Sequence, residues 1–373
     1  DYYYFAKQYF RYRNTVINSN NLYSLVGDNN DLDNINSNKN SNTNNTIINK
    51  KSKPIYNITA EFERQGYNTN IWTLTDNQKY NICETYPPII FTPRNFNRDW
   101  LKHVCDFRTK KRLPVLCWYS KENKTSMMRS SQTKGGFFSG SEHDQKYLLE
   151  CREMNEDLDI FDARPYYNAL ANRLKGAGFE NVNNYKNTRI TFCEIENIHH
   201  VRGCYSNLQS ILSGKRVFDQ KFLSSLESTG WTQMISLTIK RSIEIAERMK
   251  KNSVLIHCSD GWDRTSQLSA LTQLLIDPYY RTIYGFCVLI EKEWISFGHQ
   301  FALRGDLHNE NHWENNSSPI FIQWLDCVYQ VMNQNPSKFE FDKSLLEYIA
   351  DHVYSGKFNS FLFNCERERS KVR

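Results

Sequence analysis

The sequence has no long apolar run. Its longest strictly apolar stretches, such as Phe286–Ile290, fall far short of the ~20 residues a membrane-spanning helix needs, which excludes an integral helical membrane protein. No Cys-x-x-Cys pair occurs among the ten cysteines, so a zinc site is not expected. In a chain of 373 residues these scattered thiols read as reduced and mostly buried. There is no strong charge imbalance either: 47 basic against 41 acidic residues leave +6. That excess admits membrane surfaces and phosphates as partners, but is not the basic stripe of a nucleic-acid binder. No initiator Met and no charged-then-apolar leader stand at the start, so Asp1 reads as a cut within a longer protein. Aromatics, by contrast, are plentiful, with 22 Tyr and 22 Phe, which excludes a wholly disordered chain.

Residues 29–49 hold ten Asn among Ser, Thr, Asp and Lys. Such a segment cannot bury enough apolar surface to order itself, so it reads as a flexible surface insertion. From about Pro54 the texture is globular. Leu113–Tyr119, Asp159–Asp162 and Thr188–Ile195 read as strands. The basic run Lys110-Lys111-Arg112 reads as a solvated face. A helix capped by Ser228 or Thr229 runs through Met249, with Ile235, Ile239, Ala246 and Met249 on one face. Strands alternating with helices predict an α/β layered fold.

One segment decides the chemistry. Ser253–His257 reads as a buried strand, and Ser266–Ile276 as a helix with Leu268, Leu271, Leu274 and Leu275 on its apolar side. Between them lies Cys258-Ser259-Asp260-Gly261-Trp262-Asp263-Arg264-Thr265. A loop whose amides curl inward cradles an anion, and the helix N-terminus adds partial positive charge. Arg264 closes the cradle by bidentate bonding to phosphate oxygens. Cys258 at the floor is favoured as a nucleophilic thiolate. Gly261 permits a backbone conformation that a Cβ hinders. Thr265 hydrogen-bonds the sulfur and eases its departure. The reaction this predicts is attack by sulfur on phosphorus, then hydrolysis of a phosphocysteine, with no metal or cofactor.

His257–Thr265 (HCSDGWDRT) resembles the signature of the myotubularin family of cysteine-dependent phosphatases. Other stretches agree, among them 114–120 (PVLCWYS), 129–132 (RSSQ), 161–180 (FDARPYYNALANRLKGAGFE), 196–200 (ENIHH) and 279–299 (YYRTIYGFCVLIEKEWISFGH). The likeness runs from about Ala60 to Arg369, and extends to an N-terminal piece, Tyr2–Arg11. It implies a tyrosine-phosphatase-like fold, a central mixed sheet flanked by helices, with 1–373 as the catalytic domain. Neither a complete N-terminal lipid-binding domain nor a C-terminal coiled coil is evident. It also implies removal of the 3-phosphate from phosphatidylinositol 3-phosphate and 3,5-bisphosphate by a cytoplasmic enzyme held peripherally at endosomal or phagosomal membranes. Protein partners are not legible. A protein tyrosine or dual-specificity phosphatase and an inactive phosphoinositide-binding adaptor are the competing readings.

By the same resemblance Cys258 is the nucleophile and Arg264 the clamp. Asp263 is favoured as general acid over Asp260, since no separate acid-bearing loop is evident. Headgroup contacts carry over to Asn172, Asn197 and Ile198, alongside the loop residues Ser259 to Trp262. Trp262 packs against lipid or walls the pocket. Gln300 stands where the family commonly has Arg, which implies weaker hold on a 5-phosphate, with Arg304 partly compensating.

Overall fold

The computed structural model describes residues 55–134, 136, 140–152, 157–213, 222–305 and 316–372; the Asn-rich stretch 29–49 and Tyr2–Arg11 lie outside them. The apolar run Ser253–Cys258 forms strand β7, buried at all six positions. A strand apolar on both faces needs neighbours on both edges and cover on both sides. It pairs in parallel with β4 (Thr125–Ser131) and with β5 (Leu158–Asp162). β3 (Val115–Ser120) joins β4 antiparallel through a tight hairpin, and β6 (Thr188–Phe192) joins β5 in parallel. The mixed sheet therefore runs β3-β4-β7-β5-β6. A separate antiparallel pair, β1 (Trp72–Asp76) and β2 (Ile89–Pro93), was not expected.

Boundaries depart from expectation for local reasons. β3 starts at Val115 rather than Leu113 because Pro114 has no N–H for a ladder. β6 stops at Phe192 rather than Ile195, two residues before Glu194 takes φ +59°. The helix Trp231–Arg248 begins after Gly230, at φ +76°, not at Ser228 or Thr229. Thr229 still contributes: its hydroxyl accepts the Trp231 N–H at 3.2 Å. The buried stripe of this helix is Trp231, Met234, Ile235, Thr238, Ser242 and Ile245, with Ile239 only partly covered.

The helix after the loop, Arg264–Ile276, is not one-sided as expected but buried all round from Arg264 to Leu274. Its polar residues enter the interior already bonded. Ser269 and Gln273 donate to the Glu293 carboxylate, and Gln267 to Gln323. Two apolar clusters meet on it: Leu268 packs with the sheet, while Ala270, Leu271 and Leu274 pack with the helices Ile283–Ile290 and Ile320–Gln334. Burial of each such leucine is worth about 1.5–3 kcal/mol, so the helix that begins at the site is anchored deep in the interior. Among the described residues no helix is long and apolar enough to cross a membrane.

Candidate active site

Strand register builds the site. In the parallel ladders Ser131 lies opposite Cys258, and Asp162 opposite His257. The carboxyl ends of β4, β7 and β5 are therefore level, and the residues just beyond them converge, as ligand sites of parallel sheets do. Those residues are Gln132 after β4, Arg164 after β5, and Ser259–Asp263 after β7.

The loop is curled around the sulfur. The Gly261 N–H donates to Cys258 Sγ at 3.3 Å, and the Thr265 hydroxyl donates to it at 3.2 Å. Both donors stabilise a thiolate. Gly261 sits at φ +79°, and a Cβ there would stand 2.3 Å from the Ser130 carbonyl oxygen. Only glycine allows the loop to press this closely on β4. Its carbonyl is held from behind by two buried guanidiniums, Arg112 Nη2 and Arg129 Nη2, each at 2.9 Å. Arg112 is thus no solvated residue; Lys110 and Lys111 are exposed, but Arg112 is fully buried and also bonds the Phe297 carbonyl. Trp262 is buried as well, with Arg112 5.7 Å from its ring, so it is part of the loop's backing and not a membrane contact.

A pocket of about 390 Å³ opens over Cys258. Ser259, Asp260, Asp263, Arg264, Arg304, Asn172, Asn197 and Ile198 line it, so most of the residues singled out in the sequence meet there. One edge of Arg264 is fixed by the Ile195 carbonyl at 3.1 Å, which aims the guanidinium. The Asn197 side chain accepts the His199 and His200 N–H groups, capping the helix Ile198–Ser213. Gln300 does not line the pocket: its amide donates to the Gly298 and Asn364 carbonyls.

The two loop carboxylates have opposite settings. Asp263 is gripped by Arg304, Nε to Oδ1 at 3.0 Å and Nη2 to Oδ2 at 2.7 Å, with His299 Nδ1 3.2 Å away. Burial pushes its carboxyl up, but Arg304 and His299 outweigh burial and hold it well below the usual carboxylate range. Asp260 goes the other way, raised by burial and by the charge of Asp263. Beneath the loop His257 Nε2 lies 3.0 Å from Glu180, which also receives Arg108 at 2.6 Å. Burial favours the neutral imidazole, but Glu180 and Asp162 override it and raise the His257 pKa.

The profile of the myotubularin-like phosphatase domain matches residues 35–370. The chain belongs to this family. The match opens inside the Asn-rich stretch, earlier than the Ala60 boundary read from the motifs. The chain is 44% identical over 329 residues to the myotubularin of Xenopus laevis, covering 86% of this chain and 54% of that protein. It is 42% identical over 326 residues to the rat (Rattus norvegicus) myotubularin, covering 86% and 54%. It is also 42% identical over 325 residues to the phosphatidylinositol-3,5-bisphosphate 3-phosphatase MTMR2 of Bos taurus, covering 85% and 50%. The chain thus spans about half the length of the curated relatives it matches.

Several residues of this myotubularin-family site were missed in the sequence. Arg164 reaches the pocket after bonding Asp162, Gln132 and the Gly178 carbonyl. Lys175, Asn168 and His199 line it too. Glu180, Arg129 and His299 act from behind. Little local signal marked them: Arg129 stands in β4 among Thr125, Ser126, Met127, Met128, Ser130 and Ser131, and its need for a buried partner follows only from its place in a central strand.

Proposed function

We propose that this domain is a phosphoinositide 3-phosphatase acting on phosphatidylinositol 3-phosphate and, less well, on the 3,5-bisphosphate. The observation that carries the reading is Cys258 Sγ at the pocket floor, receiving the Gly261 N–H and Thr265 hydroxyl with Arg264 beside it. The activity in the name of the MTMR2 relative supports the lipid substrate. Residues 1–373 are taken as a single catalytic domain, with 29–49 an insertion in it.

In the first step Cys258 Sγ attacks phosphorus in line, and the bond from phosphorus to the inositol 3-oxygen breaks. Arg264, Arg164 and the loop amides hold the phosphoryl oxygens as charge shifts onto them. Asp263 gives its proton to the departing oxygen. For that it must first be released by Arg304, and a substrate phosphate that engages Arg304 does so. Burial, the leading influence on Asp263, then pushes its carboxyl up toward the protonated form. Asp260, already raised, is the alternative donor. In the second step water attacks the phosphocysteine, the acid of the first step takes its proton, and phosphate and thiolate separate. Asn172, Asn197 and Ile198 contact the inositol ring. The lipid substrate places the enzyme peripherally at cytoplasmic faces of endosomal or phagosomal membranes.

The test is phosphate released from soluble short-chain phosphatidylinositol 3-phosphate, 4-phosphate and 3,5-bisphosphate, with a phosphotyrosine peptide beside them. Release from the 3-phosphorylated lipids, abolished by Cys258→Ser, is the expected result. Preference for the peptide overturns the lipid reading. Lipid binding without any release replaces the enzyme by an adaptor.

A further inference from the structure

The helix Tyr166–Leu174 follows β5 along the pocket mouth. Asn168 and Asn172 on it, and Lys175 just beyond, line the pocket at spacing i, i+4, i+7, which is one helix face. Tyr167, Ala171 and Leu174 repeat that spacing one residue earlier round the helix. Ala171 also lines the pocket, so the two stripes touch. Tyr167 is 80% exposed and Leu174 74%. Among the described residues no large hydrophobic side chain is more exposed than Tyr167, and only Leu223 equals Leu174.

The stripe is braced. Tyr166 packs edge-on against Phe192 at 5.1 Å and Tyr167 at 5.7 Å between ring centroids, and Phe179 backs Phe192 at 5.1 Å. The nearby Glu194 carboxylate accepts the Tyr166 N–H at 3.1 Å, at the helix start. At the other end stand Lys175, exposed, and Arg173, whose guanidinium lies 4.9 Å from the Phe179 ring. Apolar side chains beside cations are the make-up of a surface that lies in a bilayer interface.

We propose that Tyr167, Ala171 and Leu174 form a membrane-docking stripe that enters the interfacial layer of an anionic bilayer and sets the pocket over a lipid headgroup. This rests on the phosphoinositide reading above. The pocket selects the occupant: a substrate anchored in a bilayer brings the pocket rim to the membrane plane. A second copy or a protein partner seated on Ala171 would cover the pocket that Ala171 lines.

The double variant Y167S/L174S separates the possibilities. Hydrolysis is measured on soluble short-chain phosphatidylinositol 3-phosphate and on the long-chain lipid in phosphatidylcholine–phosphatidylserine vesicles. Ile243→Ser, which removes an exposed apolar side chain outside the lining of this pocket, is the control. We expect kcat/KM on vesicles to fall about tenfold or more, since two large apolar contacts are lost, with the soluble substrate turned over as by wild type. Sedimentation of the Cys258→Ser protein with the same vesicles should weaken in parallel, and Ile243→Ser should change neither. Equal loss on both substrates assigns the stripe to the pocket itself and overturns docking. Unchanged vesicle activity also overturns it, and loss of self-association in the variant would assign the stripe to a second copy. A wild type inactive on both substrates instead fails the phosphatase reading.

Discussion

Arg304 and Asp263 are joined by two hydrogen bonds, at 3.0 and 2.7 Å, inside the pocket that holds the nucleophile. A general acid must carry a proton, and this pair keeps Asp263 ionised in the free enzyme. Arg304→Gln removes the leading favourable influence and leaves burial to act, so the Asp263 pKa rises. The descending limb of kcat/KM against pH should therefore move to higher pH, although affinity for substrate falls. Asp263→Asn should lose most turnover while retaining substrate binding. Normal turnover by Asp263→Asn, with Asp260→Asn inactive, reverses the assignment of the acid.

Gly261→Ala tests the loop's approach to β4. The added Cβ meets the Ser130 carbonyl oxygen at 2.3 Å, from a backbone at φ +79°. Backbone contacts give little, so the loop must shift and its N–H leave Cys258. We expect phosphate release to fall at least about a hundredfold, with about 1–3 kcal/mol lost from the denaturation free energy. Near-normal turnover would show that the sulfur does not need this donor.

Glu180→Gln tests the support beneath the loop. The native His257 pKa is raised, so its contribution to stability is full below the ordinary histidine value of ~6.5 and is lost as pH rises through the native value. Glu180 is lowered, so its contribution is present above ~4.3 and is lost as pH falls through its native value. Stability should accordingly decline above the ordinary histidine range in wild type. In Glu180→Gln burial governs His257, and that alkaline decline should vanish. The variant should also lose about 3–5 kcal/mol near neutrality, since Arg108 and His257 lose a buried partner. Urea midpoints across pH measure both.

Gln300→Arg addresses selectivity. Gln300 faces the Gly298 and Asn364 carbonyls, which leaves Arg304 as the cation this segment offers the pocket. An arginine that leaves those carbonyls adds a second one. The ratio of kcat/KM on the 3,5-bisphosphate to that on the 3-phosphate should rise about tenfold, the scale of one charge-assisted bond. An unchanged ratio assigns selectivity to Arg304 alone.

The sequence made β7, its loop and the following helix legible because an apolar run, a glycine and a cysteine–arginine spacing are local signals. β5 was nearly as readable, the strand expected over Asp159–Asp162 falling one residue short of Leu158–Asp162. What escaped is non-local. Arg112 looked solvated because it adjoins two exposed lysines, whereas its partners, the Thr85, Gly261 and Phe297 carbonyls, lie far from it in the chain. Ser266, Ser269 and Gln273 gave Arg264–Ile276 a polar side in the sequence, whereas Arg129 and Glu293, distant in the chain, meet that side in the interior. Gln300 followed a resemblance, and its own side chain turned to backbone carbonyls nearby.

The double grip on the Gly261 carbonyl has a reach beyond the loop. Arg129 is bonded to Glu293, Glu293 receives Gln273, and Gln273 accepts from Lys292, which also donates to Tyr280. The floor of the pocket is therefore the visible tip of an interior polar lattice. Damage at Lys292 or Tyr280, far along that lattice from the sulfur, should therefore reach turnover as well as stability.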